Sequence, residues 1–297
     1  MSMATQFSGS LVAIVTPMRP DGAVDFDAWG RLVDFQLENG TSGIVVGGTT
    51  GESATLSDAE LRELTERTCA RVGRKIAVIA GAGTSSTAGT LERVRWLSEL
   101  SIDGLLLVTP AYNRPSQEGL YRHFAAAAQV ARVPIILYNV PSRTCVDMLP
   151  QTVARLAQLP QIVAVKEAVA QVERVRMLLA ECRTGFTVLS GDDATARDAV
   201  LAGASGVISV TANVAPRAMA DMIGAARRGE RAAAEALDAR LVRLHQALFL
   251  EANPIPVKWA LMQMRLIAGG IRLPLTELAG MYHSPVLEAL RAAGVAS

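Results

Sequence analysis

One lysine of this chain falls within a stretch that should be a buried strand. Lys166 ends the apolar run 162–166, and a buried ammonium loses much of its hydration energy unless it is paired. A lysine can also avoid that cost by giving up its proton, and the neutral amine is a nucleophile. Lys166 therefore indicates a Schiff base with a carbonyl substrate. The alternative is a structural lysine at a strand end that reaches solvent or pairs with a carboxylate.

A glycine- and threonine-rich loop at 47–53 is the second candidate. Its sequence is Gly-Gly-Thr-Thr-Gly-Glu-Ser, and glycines let the backbone approach a ligand closely. Successive N–H groups, together with the hydroxyls of Thr49 and Thr50, can hold a carboxylate. The alternative is a tight turn before a helix that Ser57 caps.

Two of the four tyrosines, Tyr112 and Tyr138, lie at or just after the ends of apolar segments. A phenol beside a nucleophilic lysine can relay protons. Arg143 follows shortly after Tyr138 and can bind a substrate carboxylate through two parallel hydrogen bonds. Either tyrosine could instead be a core ring with a satisfied hydroxyl, and Arg143 could be a solvated loop residue.

Eight short apolar segments recur along the chain, each rich in Val, Ile or Leu, as buried parallel strands are. Helix-like stretches alternate with them at the spacing of βα units. This pattern predicts a (β/α)8 TIM barrel, in which the active site lies at the C-terminal ends of the strands. The eight apolar segments are 11–17, 43–48, 76–81, 104–110, 134–141, 162–168, 186–191 and 206–211. The helix-like stretches include 57–72, 87–100, 119–131, 149–159 and 171–182.

The strand pattern stops after the eighth segment. Ala- and Leu-rich stretches at 230–250, 256–267 and 284–293 predict helices instead. No linker-like or low-complexity stretch separates them from the rest of the chain. We therefore expect residues 1–229 to form the barrel with the catalytic site and residues 230–297 to form a C-terminal helical extension packed on it.

Several residues near the candidate site are expected to have other roles. Alternation along a strand turns Glu167 to the face opposite Lys166, so Glu167 should make a structural contact. Asp192 and Asp193 follow the seventh segment, where barrels often bind phosphate, and they would repel it. A substrate without phosphate is therefore expected. His123 lies in a predicted helix, and we expect it on the surface or at an interface.

Composition argues against several classes of function. The chain has 297 residues, 50% of them hydrophobic, and its net charge of +1 gives no electrostatic reason to bind nucleic acid or an anionic membrane. No apolar run is long enough for a membrane span, and the first ten residues show no secretory signal. The three widely spaced cysteines suggest reduced thiols in the cytoplasm. The three histidines form no close pair, which disfavours a metal-dependent site.

The sequence resembles a known family over nearly its whole length, the dihydrodipicolinate synthase/N-acetylneuraminate lyase family of Schiff-base barrel lyases. Within that family, Arg143 and the stretch Tyr-Asn-Arg-Pro-Ser-Gln-Glu-Gly at 112–119 are similar to one branch. That branch condenses pyruvate with L-aspartate 4-semialdehyde on the diaminopimelate route to lysine, whereas sialic-acid lyases lack the arginine. The strongest matches are Gly-Thr-Thr-Gly-Glu-Ser at 48–53, Tyr-Asn-Val-Pro-Ser-Arg-Thr at 138–144, Val-Lys-Glu-Ala at 165–168 and Asn-Pro-Ile-Pro-Val-Lys at 253–258.

The resemblance implies how the substrates bind. Lys166 would form the imine with pyruvate, and Thr49 and Thr50 would hold the pyruvate carboxylate. Arg143 would bind the carboxylate of aspartate semialdehyde. The enamine would attack the aldehyde, and ring closure would release the lysine. This chemistry implies no metal and no organic cofactor.

The resemblance also implies a proton relay and an assembly. Tyr138, Thr49 and Tyr112 would carry protons to solvent, with Tyr112 supplied by the neighbouring subunit. Gly191 and the carbonyl of Ile208 would line the pocket. The expected assembly is a homotetramer built as a dimer of dimers.

One departure from the family pattern concerns feedback by lysine. Relatives that lysine inhibits typically carry a glutamate where this chain has Gly89 and a second tyrosine where it has Ala111. They often carry an asparagine in place of Ser85 and histidines in place of Asp58 and Leu61. The groups that would bind lysine are largely absent, so we expect weak or no inhibition by lysine.

Two other functions stay open at this level. The first is a sister Schiff-base aldolase or lyase that acts on another 2-oxo acid adduct. Arg143 and the stretch 112–119 argue against it, and a substrate panel would decide. The second is a regulatory or ligand-binding barrel that has lost catalysis, which trapping with pyruvate and borohydride would distinguish from an imine-forming enzyme.

Overall fold

The computed structural model describes residues 7–295, and within them eight parallel strands close into a barrel. The strands are β1 (Gly9–Ala13), β2 (Gly43–Val46), β3 (Ala77–Gly81), β4 (Gly104–Val108), β5 (Ile135–Asn139), β6 (Ile162–Glu167), β7 (Thr187–Ser190) and β8 (Gly206–Ser209). Each strand pairs with the next in sequence, and β8 pairs with β1. Each predicted segment overlaps one strand, and the predicted TIM barrel is confirmed.

Helices connect the strands, as the crossover of a parallel pair requires. Two of them, α5 and α6, follow β5. The barrel helices are α1 (Phe26–Glu38), α2 (Asp58–Val72), α3 (Thr87–Leu97), α4 (Gln117–Val130), α5 (Pro141–Thr144), α6 (Pro150–Leu156), α7 (Val172–Glu181), α8 (Ala196–Leu201) and α9 (Pro216–Arg227). The remaining helices are α10 (Arg231–Ala239), α11 (Val242–Ala247), α12 (Ile255–Gln263) and α13 (His283–Ala292).

Local sequence explains where α2 begins and ends. Ser57 is its N-cap, as expected: the Ser57 hydroxyl accepts the Glu60 N–H at 3.2 Å, and the Glu60 carboxylate accepts the Ser57 N–H at 2.9 Å. This reciprocal pair satisfies two of the free donors at the helix start. The helix ends at Gly73, which has a left-handed φ of 55°. The capping pair therefore fixes the point at which the loop before α2 joins the helix.

The barrel interior is closed at the N-terminal end of the strands. The Phe7 side chain is buried there, among inward-facing residues that include Leu11 and Ile79. Gly104, the first residue of β4, leaves room for it, since a Cβ at Gly104 would lie 2.7 Å from the Phe7 ring. The functional end of the barrel is therefore the C-terminal end, as in other barrels of this kind.

Most segment boundaries differ from the sequence-based expectation by a few residues, and two of these differences have a clear local cause. The predicted strand 134–141 ends at Asn139, because Pro141 begins α5 and proline is suited to the first position of a helix. The predicted helix 230–250 is two helices, α10 and α11. Between them the Leu241 N–H donates to the Asp238 carbonyl at 2.7 Å, a tighter turn than an α-helix makes.

The structure does not place His123 on the surface, which is one of the two positions expected for it. Its side chain lies on α4 and is buried, because α3 packs against α4. His123 Nδ1 is 2.9 Å from the Thr87 hydroxyl, and the ring packs edge-on against Phe124. Burial lowers the pKa of His123. It is a packing residue between two barrel helices.

The C-terminal helices pack on the barrel. Helix α10 contacts α9, and α12 contacts the short 3-10 helix Thr211–Asn213 that follows β8. The division of the chain at 229/230 stays a proposal, and residues 1–6 and 296–297 of the two predicted units lie outside the described residues. None of the helices within 7–295 is long and apolar enough to cross a membrane.

Candidate active site

The three lysines of the chain lie in three different environments. Lys75 is exposed, whereas Lys166 and Lys258 are each only 5% exposed. Lys258 forms an ion pair with the buried Glu52 carboxylate, which offsets the cost of burying its charge. Lys166 has no hydrogen-bond or ion-pair partner among residues 7–295. Pairing with a carboxylate, which is the structural alternative for Lys166, is therefore seen at Lys258 instead.

Tyr138 lies beside Lys166. The two residues are register partners on β6 and β5, and Lys166 Nζ lies 4.2 Å from the centre of the Tyr138 ring. Gly191, just after β7, is also adjacent: a Cβ there would lie 3.1 Å from Lys166 Cε. Glycine at 191 leaves space beside the amine. The structure thus brings three of the expected site residues together.

Glu167 points away from Lys166, to the outer face of the sheet, as strand alternation predicts. Its carboxylate accepts the Asn139 side-chain amide at 3.1 Å and the Val169 N–H at 2.8 Å. Arg174 lies 3.8 Å away. Burial raises the pKa of Glu167 to about 7, although these hydrogen bonds and the Arg174 charge act in the opposite direction. Glu167 joins the ends of β5 and β6 from outside the barrel.

The loop 47–53 follows β2 and forms part of a small pocket. Part of the loop, including the half-buried Thr49, lines this pocket together with Tyr138 and with Gly81 and Gly83 of the next strand end. An added Cβ at Gly81 would lie 2.2 Å from the Gly47 carbonyl oxygen, so glycine permits the two loops to touch. Tyr138 is shared between this pocket and Lys166, which links the loop to the amine.

Thr50 and Arg143 are connected through one residue of the C-terminal region. The Asn253 side-chain amide donates to the Thr50 hydroxyl at 2.9 Å. The Asn253 carbonyl accepts a hydrogen bond from the Arg143 guanidinium at 3.0 Å. Thr50 is buried, whereas Arg143 lies exposed on α5. The guanidinium is therefore oriented and still accessible from solvent.

Ile208 lies on β8, among the inward-facing residues that also include Tyr138. The turn after it is held by Asp193, whose carboxylate accepts the N–H groups of Val210 and Thr211 at 2.9 and 2.8 Å. Asp192 is similarly engaged, in its case by Thr195. Both aspartates thus stabilise turns at the strand ends where other barrels hold phosphate.

Tyr112 is not brought to the site within one chain. Its side chain is 96% exposed, and its φ of 72° lies in the left-handed region, which is uncommon for a residue with a side chain. The neighbouring Asn113 and Arg114 are tied to the protein by hydrogen bonds to the carbonyls of Ser85 and Cys145. A tyrosine is thus held out into solvent by an anchored loop.

Sequence reasoning missed the contribution of the stretch 253–258. The stretch matches the family pattern, yet its sequence indicates no role for it, whereas in the structure Asn253 contacts Thr50 and Lys258 contacts Glu52 in the loop 47–53. The available signal was a second lysine in a strongly apolar stretch. Within residues 7–295, no cluster of three or more His, Cys, Asp or Glu side chains is arranged to hold a metal ion.

Comparisons with known proteins identify the family of the chain. The family model described as the dihydrodipicolinate synthetase family matches residues 6–293. A relative from Thioalkalivibrio sulfidiphilus, named 4-hydroxy-tetrahydrodipicolinate synthase, is 54% identical over 97% of this chain and 98% of its own. The chloride-inhibited dihydrodipicolinate synthase from Acinetobacter baumannii, solved with pyruvate, is 46% identical with a TM-score of 0.96, over 97% of this chain and 99% of its own.

A third similar protein is described as the first monomeric dihydrodipicolinate synthase variant. It is 40% identical with a TM-score of 0.96, and the match covers 98% of each chain. The family model and these relatives span almost the whole chain, including the barrel, the loop 47–53 and the C-terminal helices. The chain therefore belongs to the dihydrodipicolinate synthetase family.

Proposed function

We propose that this enzyme condenses pyruvate with L-aspartate 4-semialdehyde through an imine on Lys166, the activity for which its 4-hydroxy-tetrahydrodipicolinate synthase relatives are named. The observation that carries the proposal is the contrast between two equally buried lysines. Lys258 is paired with a carboxylate, whereas Lys166, beside Tyr138 at the C-terminal end of its strand, has no ion-pair partner among residues 7–295. An unpaired buried amine is suited to nucleophilic attack on a carbonyl. The product lies on the diaminopimelate route to lysine.

The first half of the reaction builds the nucleophile. The Lys166 amine adds to the keto carbon of pyruvate, and loss of water leaves an imine. Thr49 and Thr50 hold the pyruvate carboxylate through their N–H groups and hydroxyls. The imine withdraws electrons, so a proton leaves the methyl carbon and an enamine forms. Tyr138 lies next to the amine and carries protons in these steps.

The second half joins the two substrates. Arg143 binds the carboxylate of aspartate semialdehyde, and the enamine carbon attacks its aldehyde. The amino group of the second substrate then adds to the imine carbon, which closes the ring and expels the Lys166 amine. Every bond change uses the substrates, the lysine and protons, so we propose no metal and no organic cofactor for the reaction.

Tyr112 completes the proposed relay from a neighbouring subunit. Its exposed position is suited to reaching a second chain, with Thr49 between it and Tyr138 in the relay. We therefore propose an obligate dimer as the catalytic unit and a homotetramer, a dimer of dimers, as the assembly. Gly191 and the Ile208 carbonyl would form the wall of the pocket beside the imine.

We propose the cytoplasm as the location of the enzyme. Cys69, Cys145 and Cys182 are all free thiols, which suits a reducing compartment. Burial raises the pKa of Cys69 and of Cys182 to about 11, so these two thiols resist conversion to the reactive thiolate.

A coupled assay tests the proposed activity. Purified protein is given pyruvate and aspartate semialdehyde, and product is followed by reduction with a downstream reductase. The same assay with other aldehydes in place of the semialdehyde covers the sister aldolase. Turnover with pyruvate and aspartate semialdehyde well above that with other aldehydes is expected. Faster cleavage or condensation of another 2-oxo acid adduct would contradict the proposal.

A further inference from the structure

The second buried lysine of the chain contacts the loop that is proposed to bind pyruvate. Lys258 lies on α12, far from Lys166 in sequence, and its partner is Glu52. Glu52 follows Thr49 and Thr50 after only one glycine. No step of the proposed chemistry uses either Glu52 or Lys258. A buried ion pair is costly to form unless it is well satisfied, so its position at this loop calls for a physical reason.

The backbone of Glu52 closes the turn that presents the two threonines. The Glu52 N–H donates to the Thr49 carbonyl at 3.1 Å, and the Gly51 N–H donates to the Gly48 carbonyl at 3.0 Å. Glu52 has a φ of 58°, in the left-handed region that residues with a side chain rarely adopt. A strained conformation of this kind persists only where surrounding contacts hold it.

The Glu52 side chain supplies those contacts. One carboxylate oxygen pairs with Lys258, and the other accepts the Arg272 N–H at 3.2 Å. The Arg272 guanidinium in turn pairs with Glu60 near the start of α2. The Glu52 and Lys258 side chains are 1% and 5% exposed, so water does not compete for this pair. The carboxylate is thus held from two segments of the C-terminal region.

A second contact from the same region acts on the same turn. Asn253 lies just before α12 and donates its side-chain amide to the Thr50 hydroxyl. On the other side of the turn, the Thr16 hydroxyl donates to the Gly51 carbonyl at 2.7 Å. The turn is therefore held at Thr50, Gly51 and Glu52, while Thr49 is half-buried at the pocket.

We propose that the Glu52–Lys258 ion pair positions the turn 48–53 for binding the carboxylate of the 2-oxo acid substrate. Glu52 and Lys258 are positioning residues, since they act through the turn and touch neither substrate. The inference rests on the proposed function, because it takes the turn as the pyruvate site. The competing explanation is that the pair serves only the stability of the fold.

The test separates substrate binding from stability. Lys258→Met removes the ion pair at nearly constant side-chain volume. The KM for pyruvate is expected to rise roughly 10- to 100-fold, because a small misplacement of a binding group has effects of that order. The rate at saturating pyruvate and the KM for aspartate semialdehyde should stay within about threefold. Lys258→Met also leaves the buried Glu52 carboxylate without its ion-pair partner, so a lower melting temperature is expected.

A double variant and a control keep the test decisive. In Glu52→Gln with Lys258→Met, both charges are gone, so stability should recover while the KM for pyruvate stays high. The control is Arg197→Met, which breaks a partly buried ion pair with Asp238 away from the turn. It should lower the melting temperature and leave the KM for pyruvate unchanged.

Two results would overturn the inference. One is an unchanged KM for pyruvate in both the single and the double variant. The other is a double variant that recovers its wild-type KM together with its stability, which would show a purely structural pair. If Lys258→Met does not fold, the double variant alone gives the same decision. Wild-type protein that traps no pyruvate with borohydride would instead overturn the proposed function, and this inference with it.

Discussion

Tyr138 and Lys166 face each other on adjacent strands, with Lys166 Nζ 4.2 Å from the centre of the Tyr138 ring. An aromatic face attracts a cation weakly, and it orients the amine without the fixed negative charge of a carboxylate. Lys258 is buried to the same degree, but its ammonium is paired with the Glu52 carboxylate. The difference between these two lysines is the basis of the predictions on the imine.

Pyruvate and borohydride should label Lys166 alone. The imine is reduced to a stable adduct, which peptide mass spectrometry locates among the three lysines of the chain. Lys166→Ala and Lys166→Arg should lose most of the activity, because a guanidinium stays protonated and does not attack a carbonyl. Lys75→Arg is the matched control and should keep full activity, since Lys75 is exposed. Labelling of Lys75 or Lys258 instead would contradict the mechanism.

Replacing Arg143 should affect the second substrate selectively. Charge-assisted bidentate contacts contribute on the order of 1.5–3 kcal/mol. Arg143→Ala should therefore reduce kcat/KM for aspartate semialdehyde by about 10- to 150-fold, with imine formation from pyruvate largely intact. Steady-state kinetics and borohydride trapping measure the two effects separately. An equal loss of imine formation would place Arg143 in the pyruvate site or in the fold.

Mixing two inactive variants tests whether Tyr112 acts across a subunit interface. In a hybrid of Lys166→Ala and Tyr112→Phe chains, one site combines an intact Lys166 with an intact Tyr112 from the partner. Co-expressed chains should then regain up to about one quarter of the wild-type activity, because half of randomly formed two-fold dimers are hybrids with one complete site. Tyr112→Phe alone should be strongly impaired. A hybrid without any regained activity would place Tyr112 in the site of its own chain, and a fully active Tyr112→Phe would place it outside the relay.

Lysine should inhibit this enzyme weakly or not at all. A bound lysine zwitterion needs a carboxylate for its ammonium and donors for its carboxylate, because unpaired charge is costly to bury. Gly89 offers no side chain, and Ala111 offers no phenol. The Asp58 carboxylate is paired with Arg93 at 2.8 Å, and Leu61 is buried beside Gly47.

The size of the effect follows from the missing contacts. Compared with relatives that lysine inhibits, the loss of two charge-assisted contacts should weaken lysine binding by roughly 3–6 kcal/mol, or about 10²- to 10⁴-fold. Initial rates at saturating substrates across a lysine series measure it. Half-inhibition below about 1 mM, which corresponds to roughly 4 kcal/mol of binding, would show that other residues bind lysine.

Glu167 should make the stability of the protein depend on pH between about 4.5 and about 7. Burial raises the pKa of Glu167 from 4.5 to about 7. Between these values the folded chain holds a proton that the unfolded chain has lost, so stability falls as pH rises from about 4.5 to about 7. The expected loss is about 3 kcal/mol.

Denaturant unfolding of wild type and Glu167→Gln at pH 5 and pH 8 measures this loss. The stability of wild type relative to the variant should be lower at pH 8, because the glutamine does not ionise. Glu173→Gln, at an exposed position on the neighbouring helix α7, is the matched control and should not change the pH dependence. Parallel curves for wild type and Glu167→Gln would contradict the prediction.

The sequence alone was sufficient for the barrel and for the direction of its key side chains. The eight apolar segments and the helices between them repeat at the length of one βα unit. Strand alternation placed Lys166 and Glu167 on opposite faces, as the structure has them. These features depend on residues close together in the chain, and hydrophobic periodicity and turn residues in the sequence predict such local features.

Only the tertiary structure decided which distant residues meet. Asn253 contacts Thr50 across 203 residues, and Lys258 contacts Glu52 across 206, yet no local pattern encodes these pairs. The burial of His123 was missed for the same reason, since a helical period shows a helix but not which neighbour covers its polar positions. Barrel closure brings the strand ends to one face, which places Lys166 beside Tyr138. Packing of the C-terminal helices on the barrel places Lys258 beside the Glu52 carboxylate.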